Sequence, residues 1–241
     1  VLRLFTFGKY HQILANRMTL LIVGNESQLA ETKEKFGPAH EYLVAEQVAM
    51  GGELISRADV VFDFANEWTP LRLQTYLEHP SITVFLHTVT QTLRQLIGSI
   101  STPPGHIFGF NGLPTFLDRP LLEVSMLHEA NEARLAEACR LLKTEYKVVQ
   151  DTVGLVTPRV IGMIINEAYL TVEEGTASRS DIDLAMKLGT NYPFGPFEWA
   201  SRIGLANVVS LLEAIHNDTG DERYRICPLL LAEANGGNLG K

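Results

Sequence analysis

The sequence predicts an α/β protein in which a parallel sheet comes first and an all-helical part follows. Three observations predict it. Short β-branched runs alternate with helix-period stretches through the first 150 residues. The first of those runs, Thr19–Val23, is apolar at every position after its first, as in an inner parallel strand covered on both faces. Beyond Asp151 the strand pattern stops, and capped helical segments take over.

Taken in order, "MTLLIVG" reads as a strand, "ESQLAETKEKF" as a helix, and "EYLVAE" and "ADVVFDFA" as strands. "PLRLQTYLEH" is a helix opened by proline, "SITVFLHT" a strand, and "PLLEVSML" a further strand. "NEARLAEACRLLKTEY" is a strong helix, and "KVVQD" ends the alternating series. "VAMGGELISR", residues 48–57, reads as a short connection or a small helix. In the second part, "RVIGMIINEAYLTVEEG" closes at Gly175, and "SRSDIDLAMKLG" opens on a Ser/Asp capping pattern and closes at Gly189. "ANVVSLLEAIHNDTG" follows them. The predicted domains are therefore 1–150 and 151–241. The segment before Met18 has mixed strand-like character, and "NGGNLGK" reads as a loop or fraying end.

Composition narrows the function classes. A net charge of −8 with no long Lys/Arg cluster argues against nucleic acid as a partner, because neutralising phosphates requires a basic surface. Cys139 and Cys227 are the only cysteines and lack CxxC spacing, which argues against a disulfide framework or a structural metal and for a reducing, cytoplasmic setting. No apolar run reaches the length that spans a bilayer, so no membrane role is expected. The N-terminal residues lack the pattern of a signal peptide.

The turn after the first strand is where a dinucleotide pyrophosphate would sit in a Rossmann-like domain, and it reads "GNESQL". Of the three glycine roles in G-x-G-x-x-G, only the first is filled, by Gly24; Glu26 and Leu29 occupy the second and third. Glu26 places a side chain and a negative charge beside the expected phosphates. The same residues form a helix start, with Asn25 as N-cap, Gln28 three residues on, and Glu26 at the positive end of the helix dipole. Glu46, 22 residues after Gly24, stands where a ribose-binding carboxylate is expected, or is a solvated acid at a strand end.

"DIDLAMKLGTNYPFGPFEWASRIGL", residues 181–205, and "INEAYLTVEEGTASRSDID" upstream closely resemble the helical domain of 3-hydroxyacyl-CoA dehydrogenases; the first half resembles that family far more weakly. The resemblance implies a Rossmann-like parallel sheet domain for NAD followed by an all-α helical domain that supports homodimerisation, with an acyl-CoA as the small-molecule partner. It also implies a His–Glu pair as the base. The family's glutamate falls on Glu123 in "LLEV", and its histidine position is Asn111 in "FGFNGLP", where an amide cannot act as that base. A substrate-bonding serine falls on Thr90, which keeps a hydroxyl, and a polar asparagine falls on Pro158, which has no donor. Only 43 residues separate Glu46 from Thr90, fewer than in the family, so the helical hairpin that helps hold CoA is expected to be missing.

His87 ends a predicted strand three residues before Thr90, where open α/β sheets bind ligands, and is the first candidate for a replacement base. The alternative is a histidine satisfied by local hydrogen bonds. Glu123 likewise reads as a residual functional acid or as a paired structural one. His106 and His128 match no role. In "YPFGPFEW", Gly195 and the prolines shape a turn, while Phe194, Phe197 and Trp199 pack the helical core. The expectation is a 3-hydroxyacyl-CoA dehydrogenase-like protein with impaired or absent NAD-dependent oxidation, a pseudoenzyme or binding scaffold. The alternatives are an active NAD-dependent oxidoreductase rebuilt around Glu123 with His87 or Thr90, and a nonenzymatic acyl-CoA or nucleotide-binding module.

Overall fold

The computed structural model describes residues 17–46, 52–98 and 104–236. The expectations for the first 16 residues, for the connection at 48–51 and for the last residues of the tail fall outside that range. The chain divides into two compact units: residues 1–87, 93–112 and 117–151 form one, and 88–92, 113–116 and 152–241 the other. The second unit thus takes in two short segments of the first 150 residues, which a single cut near residue 150 does not anticipate.

The first unit is a seven-stranded sheet in the order β2-β1-β3-β4-β5-β6-β7. The strands are β1 Thr19–Val23, β2 Glu41–Ala45, β3 Val60–Asp63, β4 Thr83–His87, β5 Ile107–Phe110, β6 Leu121–Ser125 and β7 Glu145–Val149. Its helices are α1 Glu26–Phe36, α2 Gly52–Ile55, α3 Pro70–Leu77, α4 Leu93–Ile97 and α5 Glu132–Leu142. All pairings are parallel except β5 with β6, which run antiparallel. The sheet is therefore mostly parallel, and the expectation of a wholly parallel one is corrected at that pair. The chain order reverses between β1 and β3, so their C-terminal ends flank the crevice where open sheets of this kind take ligands.

Alternation along the strands builds two cores. Leu20, Ile22, Phe62, Phe85 and Phe108 face α1 and α5, which contribute Leu29, Phe36, Leu135 and Leu142. Leu21, Val23, Val61, Val84 and Leu86 face α2, α3 and α4 through Ile55, Leu73, Tyr76, Leu93 and Ile97. On the first face the rings of Phe62 and Phe85 stack at 4.8 Å, with Phe36 beyond at 5.2 Å. Covering both faces in this way is why β1 carries no polar residue after Thr19.

One local expectation shifts, one strand is not anticipated, and one open alternative is settled. The long helix of the first half stops at Leu142, where Lys143 turns left-handed (φ 56°), and the residues after it form β7. The segment "IFGF" is a fully buried strand, β5. The small-helix alternative for the 48–57 segment is realised at Gly52–Ile55.

The second unit contains α6 Thr157–Glu173, α7 Arg179–Thr190, α8 Pro196–Ile203, α9 Leu205–Thr219 and α10 Pro228–Ala234. Ile165, Trp199, Leu211, Leu212, Ile215 and Leu230 are its buried apolar centre. The "YPFGPFEW" turn runs straight into α8, whose first amides at Phe197 and Glu198 donate to Asp183 at 2.8 and 3.2 Å. A Cβ at Gly195 would collide with that same Asp183, so only glycine fits. Trp199 is buried and is met edge-on by Phe194 at 5.0 Å, while Phe194 and Phe197 are themselves half-buried. Asn166, 2 % exposed, gives both ends of its amide to the backbone of Arg225 and Cys227. No described helix is long and apolar enough to cross a membrane.

Candidate active site

The turn from β1 into α1 holds itself closed. Asn25 accepts from the amides of Ser27 and Gln28 at 3.0 and 3.1 Å, and Gln28 reaches back to the Asn25 amide at 2.8 Å. This capping box is the helix start that the sequence spells out. The Gly24 amide donates to the Ala45 carbonyl at 2.9 Å. A Cβ at Gly24 would strike the Gln28 amide oxygen, so glycine is required by the cap itself. Glu26 lies exposed in the first helical turn, and Leu29 belongs to the apolar core. Glu46 is exposed directly after β2.

Beside this turn, β3 ends in Asp63, whose side chain has no exposure. Arg72 grips its carboxylate with two nitrogens, Nε at 2.9 Å; the Tyr76 hydroxyl donates at 2.6 Å and the Ala65 amide at 3.0 Å. Burial pushes the Asp63 carboxyl up from its ordinary range, while Arg72, Tyr76 and the Ala65 amide pull it back. Every partner is a donor, the arrangement an ionised carboxylate needs. Burial and the adjoining carboxylate together raise the Tyr76 hydroxyl well above its usual value. Trp68 covers the Arg72 guanidinium at 5.0 Å. Sequence reasoning missed this cluster; its one local signal is that Arg72 and Tyr76 lie one turn apart on α3.

The third group sits at the ends of β4, β5 and β6. The antiparallel register pairs Phe110 with Val124, so Asn111 and Glu123 face each other one step further on. The Asn111 amide donates to the Glu123 carbonyl at 3.4 Å, and both residues are buried, at 4 and 9 % exposure. The fold thus brings together the two positions that the resemblance equates with a catalytic pair. His87, at the end of β4, accepts through Nδ1 from the Gly112 amide at 2.9 Å. Burial lowers its pKa to about 4. With Nδ1 accepting, a neutral ring carries its proton on Nε2, and the basic lone pair is already occupied. A Cβ at Gly112 would come within 2.8 Å of that nitrogen, so glycine here permits the contact.

Thr90 is half-buried and groups with the second unit, as does Pro158, buried in the first turn of α6. Glu46 stands alone after β2. His106 is bound to the Tyr76 carbonyl at 3.1 Å, which satisfies it structurally, and His128 is exposed. Among the described residues no group of three or more His, Cys, Asp or Glu could hold a metal ion.

A doubly covered, mostly parallel sheet with its switch point at β1 and β3, joined in sequence to an all-helical unit, defines a Rossmann-like protein with an appended helical domain. Residues 154–241 match the family described as 3-hydroxyacyl-CoA dehydrogenase, C-terminal domain. Over those residues the chain is similar to the C-terminal domain of 3-hydroxyacyl-CoA dehydrogenases. It is 44 % identical over 86 residues to a 3-hydroxyadipyl-CoA dehydrogenase of Escherichia coli, a match covering 36 % of this chain and 18 % of the relative. It is 32 % identical over 151 residues to a 3-hydroxybutyryl-CoA dehydrogenase of Clostridioides difficile, covering 60 % and 53 %. The chain spans about half or less of the length of these curated relatives. The crystal structure of (S)-3-hydroxybutyryl-CoA dehydrogenase from Ralstonia eutropha superposes with a TM-score of 0.69 over 93 % of this chain and 95 % of that one. At 21 % identity that likeness shows the fold.

Proposed function

We propose that this chain is a 3-hydroxyacyl-CoA dehydrogenase-like protein in which NAD-dependent oxidation is absent or strongly impaired, and that it works in the cytoplasm as a binding scaffold. The observation that carries this reading is the closed first turn. A diphosphate at a helix N-terminus needs free backbone N–H groups and the positive end of the dipole. Here the amides of Gly24, Asn25, Ser27 and Gln28 already have acceptors inside the protein, and Glu26 adds a negative charge. Opening the cap would cost about 1 kcal/mol before any like-charge repulsion. The residues present do not fit a coenzyme diphosphate in the ordinary pose.

The base supports the same reading. Asn111 takes the histidine position, and the His87 lone pair is held by Gly112. Losing one member of a catalytic group commonly lowers turnover by several orders of magnitude, so a missing base and a closed coenzyme seat together leave little. Calorimetric titration with NAD and NADH to millimolar concentration, alongside NADH formation from (S)-3-hydroxybutyryl-CoA, tests it. We expect neither binding nor turnover; robust NADH formation overturns the proposal in favour of a rebuilt active site.

The helical unit supports a homodimer. α7 buries no residue within its own chain, and Leu184 and Leu188 on it are 54 and 78 % exposed. An apolar cavity of about 390 Å³ opens beside it, lined by Met163, Ile164, Ala168, Ile182, Met186 and Pro196. An exposed apolar patch of this kind suits a second copy of the chain. Analytical ultracentrifugation is expected to show a dimer, and a monomer at all concentrations removes the assignment.

A further inference from the structure

We propose that the amino-terminal edge of the sheet holds a binding site for a phosphate monoester of mononucleotide size, with its phosphate on Arg17 and Arg57 and its body on an apolar floor. A cavity of about 700 Å³ opens there, within the range that small organic ligands fill. Its walls come from stretches far apart in the chain: Arg17 and Met18 lead into β1, Arg57 and Asp59 precede β3, Ile82 precedes β4, and Arg134 stands on α5. Because β1, β3 and β4 run parallel, the cavity lies at the end of the sheet opposite to Gly24, Asp63 and His87. Strands of four or five residues separate the two ends by about 15 Å, so the site is independent of the coenzyme reading.

The charges give the ligand its sign. Arg17 and Arg57 both turn to Glu41, at 3.3 and 3.4 Å, each through one nitrogen. Those contacts are long for charge-assisted bonds, and both arginine side chains are 54 % exposed, so two cations share one weakly held carboxylate. Arg134 donates to the carbonyls of Pro80, Ser81 and Ile82 at between 2.7 and 2.9 Å and to the Thr83 hydroxyl at 3.2 Å; among the described residues no carboxylate pairs with it. Of the acids on the wall, Glu137 is already gripped by Arg140 through two bonds of 2.7 Å, and Asp59 accepts from the Thr19 amide at 2.7 Å. Four guanidinium groups thus meet three carboxylates, in a chain whose net charge is −8. A phosphate monoester, carrying about two charges at neutral pH, matches two arginine forks better than one carboxylate does. The floor selects the rest of the ligand: Met18, Ile82 and Ala138 are 8, 4 and 5 % exposed and offer apolar surface to a flat body behind the phosphate. The rim arginines stay in water, so the anion keeps part of its hydration and escapes the cost of full burial.

Adenosine monophosphate is the probe, with adenosine and inorganic phosphate as controls, followed in the full chain labelled with 13C-methyl methionine. The Met18 methyl reports from the cavity wall, and its signal is assigned by its loss in Met18→Leu. We expect a saturable shift of that methyl with the monophosphate, and binding at least tenfold weaker for either control. Arg17→Ala combined with Arg57→Ala, both at exposed positions, is expected to weaken the monophosphate about tenfold or more with little change in melting temperature. An unmoved Met18 methyl at millimolar probe, read on the unaltered protein, overturns the proposal, as does an affinity unchanged in the double variant. Inorganic phosphate binding as tightly as the monophosphate overturns the organic ligand, because the apolar floor would then contribute nothing.

Discussion

The sheet unit and the helical unit treat their polar and apolar groups in opposite ways. In the sheet unit, strand ends that could meet a ligand are tied back to the protein: the first turn caps itself, Asp63 is ringed by Arg72, Tyr76 and Ala65, and His87 holds Gly112. In the helical unit, α7 has no fully buried residue and leaves two leucines in the open. The difference teaches where free energy is still available. Polar groups that satisfy one another stabilise the fold and are removed from ligand binding, whereas an unburied apolar face can gain by association.

Substitutions can break that comparison at several strengths. The largest effect is expected from Arg72→Ala, which leaves the Asp63 carboxylate buried without its cation; a loss of about 3–5 kcal/mol should appear in urea unfolding. A loss below 1 kcal/mol would mean that the strand ends are not held as described. Acidification comes next. Burial sets His87 near 4 in the folded protein against 6.5 ordinarily, so the unfolded chain binds the proton more readily between those values. The contribution is fully present above pH 6.5 and is lost as pH falls toward 4, by up to roughly 3 kcal/mol, and His87→Gln should flatten that slope in denaturant midpoints.

Asn25→Ala removes the cap of α1 and is expected to cost about 1 kcal/mol. Thermal melts measure it, and an unchanged midpoint would show the turn to be looser than its hydrogen bonds imply. The smallest change in chain stability, within about 0.5 kcal/mol, is expected from Leu188→Glu on exposed α7. The same variant sharpens the contrast if it shifts the sedimenting mass toward monomer. A large loss of monomer stability would instead show that this leucine already belongs to a core.

What the sequence made legible was local. The Asn25–Gln28 cap, the apolar β1 and the Gly175 turn depend on neighbours within a few residues and are read from spacing alone, whereas α7 runs through Gly189, its expected end, and turns left-handed at Asn191. β5 is not legible in the sequence because four residues flanked by loops give too short a run to separate from a turn. Its antiparallel pairing with β6 could not be read because strand direction is settled by the chain between them, not by either strand. α8 carries the signals of a helix start, proline in its first turn and Glu198 bonding back to the Gly195 amide at 3.1 Å, yet its aromatic content reads equally well as a packed turn. Within the candidate site, the positions of Asn111 and Glu123 came from resemblance, whereas the Gly112 bond to His87 joins residues 25 apart and exists only once the sheet is assembled. The Asp63 cluster was hidden for the same reason.

β5 and β6 are the one antiparallel pair of the sheet among the described residues. The ladder sets Asn111 opposite Glu123, and the stretch between them carries Leu113, Phe116 and Leu117, all buried, with Phe116 stacked on Trp199 at 5.4 Å. Descendants of this chain could therefore not resize that hairpin freely, and a deletion of a single residue inside β6 would turn Glu123 to the other side of the sheet.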